Sequence, residues 1–159
     1  MLDWTSVLAA AGEAQTGDRT AGRNGLLACW ARSSRADHTY RCVLAHYLAD
    51  LQDSLDDEVA WDQVALEESA HLHGDALTAV GIPDVAGLAP SLHLNLGDGY
   101  LRQGRVGEAT EQLRQGQAMV GVLTDDGYGR MIRDGLTRLE ARVAQAAERP
   151  MTSGVDPGL

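Results

Sequence analysis

The chain has 159 residues, enough for one domain with a full core, and 44% of them are hydrophobic. Its formal charge is −10, from 23 acidic and 13 basic residues, a balance that repels phosphate backbones and anionic bilayers and argues against nucleic acid or membrane as partners. All the basic residues are Arg, and the absence of Lys removes a P-loop lysine, a Schiff-base lysine and a lysine general base.

Prolines stand only at positions 83, 90, 150 and 157, so two long blocks are free of the strongest helix breaker. The first expected helix covers 2–15. Its sequence, MLDWTSVLAAAGEA, carries acids early and lacks the basic start of a signal peptide. No apolar run approaches the ~20 residues of a membrane span, so a soluble, cytoplasmic protein is expected. A second helix follows at 18–33. A third, at 36–53, carries a stripe of Tyr40, Val43, Leu44, Tyr47, Leu48 and Leu51 at helical spacing. The acids of SLDDE suit the start of a fourth helix at 56–73. GIPDVAGLAP, 81–90, reads as the one long irregular link. Helices at 90–103, 107–121 and 127–148 complete an all-α domain over 1–149, and 150–159 reads as a loose tail. Short links favour antiparallel helix hairpins. Cys29 and Cys42 form no CxxC pair and read as buried free thiols.

The stretch LHLNLGDGYLRQGRVGEATEQL, Leu92–Leu113, holds the most informative pattern. A dinucleotide fingerprint needs GxGxxG between a strand and a helix. Here Arg102 stands where the third glycine belongs, and the preceding LHLNL has helical spacing. The alternative is a pair of helices joined at Gly104, with Gly97 and Ala109 letting their backbones approach and Tyr100 and Leu113 filling the space beside them. Leu96-Gly97, Tyr100, Gly104, Ala109 and Leu113 resemble the tetratricopeptide repeat, a helix–turn–helix unit. His93, Leu113 and Gly121 depart from the family's Trp, Phe and closing Pro. Two weaker copies align: Leu48, Leu51, Ala60 and Val64 in one, Gly17, Gly22 and Leu26 in the other. The resemblance spans most of 2–121 and implies a short right-handed superhelix, with the Arg-rich helix 127–148 as its cap.

In that family the first helices of the hairpins line a concave groove that holds peptides or protein segments. The resemblance implies a non-enzymatic scaffold or adaptor with a groove at Ser91, Asn95, Asp98 and Arg102, continued at Cys42, His46, Ala49, Asp50 and Asp53 and at Trp4, Leu8, Ala11 and Gln15. The groove is expected to be apolar toward the N-terminus and polar toward the third unit. Asn95 and Arg102 suit a peptide backbone or carboxylate. Asp98 and Arg102 also stand four apart, where they pair with each other on a helix face. The family's carboxylate-holding members pair Lys with Asn, and this chain has no Lys.

The alternative reading is a small metal-dependent enzyme, or a metal- or small-molecule-binding protein, built on His46, Asp50, His71, His73 and His93. His38, Cys42, His46 and Asp50 recur every four residues but span about 18 Å of helix, so one ion reaches at most an adjacent pair. No HExxH, GxSxG or calcium-loop register is present, and no motif calls for a cofactor. The run Asp50–Glu68 holds eight acids and no base, and reads as a solvated face or a docking patch for a basic partner. Against Arg130, Arg133, Arg138, Arg142 and Arg149 in the last helix, it also invites a homo-oligomer through head-to-tail or two-fold contact.

Overall fold

The computed structural model describes residues 1–149, and the tail expected at 150–159 lies outside the described residues. The helices are α1 (Trp4–Thr16), α2 (Arg19–Arg32), α3 (His38–Ala49), α4 (Leu55–Ser69), α5 (Ala89–Arg102), α6 (Val106–Ala118) and α7 (Gly127–Glu148). No strand occurs among the described residues. Side-chain caps start several of them. Asp3 accepts the amide of Ser6, Asp18 those of Thr20 and Ala21, Ser54 that of Asp57, and Asp126 that of Gly129. Asp56, Asp57 and Glu58 fill the first turn of α4, where the helix dipole favours negative charge. Pro90 sits in the first turn of α5, where its missing amide costs nothing.

Three helices end three or more residues before the expected boundary. α3 stops at Ala49 rather than 53, because the chain must turn before Ser54 caps α4. α4 stops at Ser69 rather than 73, ahead of Gly74, whose φ of +59° lies in the left-handed region. α6 stops at Ala118 rather than 121 and gives way to a 3-10 turn, Val120–Val122.

α1 pairs with α2, α3 with α4, and α5 with α6; these hairpins pack in chain order, and α7 lies against α5 and α6. Small residues set the spacing. A Cβ on Gly97 would stand 2.9 Å from Leu139 Cδ2 and 3.3 Å from Gln112 Cβ, and one on Gly99 2.7 Å from Val59 Cγ2. These glycines are therefore packing positions. Gly104, at φ +78°, makes the turn between α5 and α6.

The core has two clusters. The first joins α1–α4 and the start of α5, with Val7, Leu26, Leu44, Leu48 and Leu92 at its centre. Leu72, Leu77, Val85 and Leu88 from the 70–88 connection are buried in it. The second joins α5–α7 through Leu96, Tyr100, Leu113, Leu136 and Leu139, with Val59 contributed by α4. α7 buries Ile132, Leu136, Leu139 and Val143 at helical spacing; Arg130, Arg138 and Arg142 are exposed, and Arg133 is half-buried against the Leu123 and Thr124 carbonyls. No described helix is long and apolar enough to cross a membrane.

Candidate functional site

Three adjoining cavities share Asp50, at the carboxyl end of α3. One of about 250 Å³ reaches Gln15 on α1 and Arg19 on α2. One of about 310 Å³ lies between His46 and Tyr47 on α3, Ser91 and Asn95 on α5, and Met131 on α7. One of about 240 Å³ lies among Glu58 and Asp62 on α4, Asn95 and Asp98 on α5, and Arg138 and Arg142 on α7. Tyr47 belongs to the first two and Asn95 to the last two. The cavities thus follow one another along the first helices of the hairpins and onto α7.

Of the groove residues expected from sequence, Ala11, Gln15, His46, Asp50, Ser91, Asn95 and Asp98 line these cavities. Asp53 and Arg102 do not. The Asp53 side chain is 91% exposed and lies 4.0 Å from Arg23 Nη1. Arg102 donates from Nε to Asp98 Oδ2 at 2.9 Å and from Nη2 to Glu58. Those carboxylates occupy the guanidinium that a peptide terminus would need. Ser91 is also committed, donating to the carbonyl of Leu88 at 2.8 Å.

The groove face expected on α3 needs correction. Cys42 and Ala49 are buried, and the Cys42 thiol donates to the Ala65 carbonyl at 3.4 Å. Burial pushes that thiol up to about 12, so it is inert at neutral pH. α3 is covered on nearly all sides because α2 and α4 both pack on it. Trp4 is likewise packed, its ring 4.4 Å from that of Tyr40. The apolar part of the surface lies instead at Ile82, Tyr128 and Met131. It continues into a cavity of about 610 Å³ between the 81–87 link and the turn before α7, which shares Ile82 and Tyr128.

The histidines of the alternative reading are dispersed. His71 stacks on His38 with ring centroids 4.0 Å apart, at the start of α3, two turns from His46. His38 Nδ1 is 2.6 Å from Glu68 Oε2. Arg41 donates to the other Glu68 oxygen at 2.7 Å and lies over the Trp30 ring. Burial raises the Glu68 carboxyl, but the bonds from Arg41 and His38 outweigh it and hold the group low. His93 is buried, its Nδ1 2.8 Å from Gln112 Oε1. Among the described residues no three His, Cys, Asp or Glu side chains converge in a geometry that holds a metal ion.

Sequence reasoning missed Asp62. It is 3% exposed, and its Oδ1 is buried without a hydrogen-bond partner. Burial, reinforced by Asp50 and Glu58, raises its carboxyl to about 7. The signal was present: Val59, Asp62 and Ala65 recur every three residues on the buried face of α4. His46 Nδ1 is a second buried atom without a partner. Its pKa is lowered by burial, against the pull of Asp50. The cavities therefore have a polar lining with hydrogen-bonding capacity unspent. No protein-family model matches this chain, and no curated protein or solved structure shows significant similarity to it.

Proposed function

We propose that the chain is a non-enzymatic binding module, a tetratricopeptide-like right-handed stack that holds a peptide or protein segment against the first helices of its hairpins. The observation that carries this reading is the run of adjoining cavities joined at Tyr47, Asp50 and Asn95. Gly97 at the contact of α5 with α6 and α7, and the left-handed Gly104 between α5 and α6, support the repeat-like geometry. A segment laid in the groove would meet Ile82, Tyr128 and Met131 in the middle cavity and Glu58, Asp62 and Asp98 in the cavity against α7. Apolar side chains would supply much of the affinity. The Asn95 amide would serve backbone groups of the segment.

The test is selection of random peptides on the wild type, counter-screened on Asn95→Trp, which fills the junction of two cavities. The expected result is a set of peptides that bind the wild type with micromolar Kd and the variant about tenfold or more weakly. Circular dichroism checks that the variant keeps its helices. If no peptide is selected, or if selected peptides bind both proteins equally, the groove reading fails.

A further inference from the structure

We infer that the recess between α4, α5 and α7 takes the cationic head of an arginine or lysine side chain carried by the bound segment, with Asp62 and Asp50 as its carboxylate partners. This deepens the groove reading and rests on it for the source of the cation. The recess measures about 240 Å³ and is lined by four carboxylates: Asp50, Glu58, Asp62 and Asp98. Two of these are already neutralised within the chain. Asp98 receives Arg102 and Arg142, and Glu58 also receives Arg102. Asp50 and Asp62 have no ion-pair partner among the described residues.

A surface aspartate without a partner is ordinary. Asp62 is not on the surface: its side chain is buried in the wall of the recess, and Oδ1 meets no donor. A buried carboxylate left so is costly, and a donor arriving from outside would relieve that cost. A guanidinium presents five N–H donors in one plane, enough for two carboxylates and the Asn95 amide oxygen together. The recess offers no three ligands in metal geometry, so an organic cation suits it better than an ion.

The chain has one competitor of its own. Arg138 lines the same recess from α7 and has no carboxylate partner among the described residues. The test must therefore separate a cation brought by a ligand from Arg138 folding inward. The charged groups facing Asp62 are Asp50, Glu58 and Asp98 on one side and Arg102, Arg138 and Arg142 on the other; His46 is the other nearby titrating group.

The probe is N-acetylarginine methylamide, with the citrulline analogue as an uncharged control of the same shape, titrated into isotopically labelled full-length protein at pH 8. Backbone shifts at Asp62, Asn95 and Asp98 that saturate at millimolar arginine compound, and are absent with citrulline, are expected. Asp62→Asn should weaken binding about tenfold or more, and Asp50→Asn should weaken it less. The Asp62 carboxyl carbon should titrate at lower pH with the arginine compound bound, whereas Arg138→Gln should leave its midpoint in the ligand-free protein unchanged. Equal shifts from arginine and citrulline compounds would overturn the inference, as would an unaffected Asp62→Asn. So would a rise of the free midpoint in Arg138→Gln, which would identify Arg138 as the resident partner. Failure here and failure of the groove reading are distinguishable. Selected peptides that bind the groove without a basic residue would sink the cation recess alone. Binding of the arginine compound with no selectable peptide would sink the groove reading alone.

Discussion

Asp62 occupies the register of a core residue and carries a carboxyl group. An ordinary aspartate ionises near 3.8, and this one is raised to about 7 in the fold. Below the lower value the group is protonated in both folded and unfolded chains and costs nothing. As pH rises from there to about 7 the unfolded chain ionises first, so stability is lost across that window and stays lost above it. Asp62→Asn should therefore be more stable than the wild type by about 2–4 kcal/mol at pH 8, with the difference fading toward pH 4. Urea unfolding at several pH values reads this directly. His46 acts in the opposite sense. Its pKa is lowered from 6.5 by burial, so the unfolded chain takes up the proton first and stability falls as pH drops below 6.5. His46→Gln should flatten the acid side of the same profile. A third site tests a half-buried ion pair. Arg41→Ala removes both the bond to Glu68 and the cation over Trp30, and should lower stability by about 2–3 kcal/mol in thermal or urea unfolding. Along the chain Asp62 is one of the eight acids of the charged run Asp50–Glu68. Position around the helix sets it apart, because its three-residue spacing with Val59 and Ala65 puts it on the buried face of α4.

Four of the seven helices, α1, α2, α4 and α7, carry a capping side chain at their start. Asp3, Asp18, Ser54 and Asp126 start helices, and proline is confined to the link, the first turn of α5 and the tail. What spacing could not show is which faces meet. α3 was expected to offer the side opposite its apolar stripe to a ligand, but α2 and α4 cover it from both flanks, so Cys42 and Ala49 went into the core. The link 81–90 reads as irregular in the sequence, yet its Val85 and Leu88 are core residues. Asp98 and Arg102 show the opposite lesson. Their four-residue spacing predicts a pair, and they make it, which withdraws Arg102 from the groove. Two glycines of similar sequence context give a sharp comparison. A Cβ on Gly12, inside α1, meets nothing within 4 Å, while one on Gly22, inside α2, would overlap the backbone of Ala14. Gly12→Ala should raise stability by about 0.5–1 kcal/mol through helix propensity. Gly22→Ala should lower it by about 1–3 kcal/mol by forcing α1 and α2 apart. The two midpoints in one urea series check both signs.

The two core clusters meet along α4, which sends Ala65 into the first and Val59 into the second, with Leu66 touching both. α5 is divided the same way, with Leu92 in the first cluster and Leu96 and Tyr100 in the second. The N-terminal and C-terminal halves should therefore open as separate cooperative units, which amide hydrogen exchange would resolve. Protected amides in α1–α3 should exchange with one opening free energy, and those in α5–α7 with another. An occupant of the groove would touch α3 and α7 at once and so penalise the opening of either half. Its signature in exchange would be a convergence of the two protection levels, extending to amides far from any contact with the ligand.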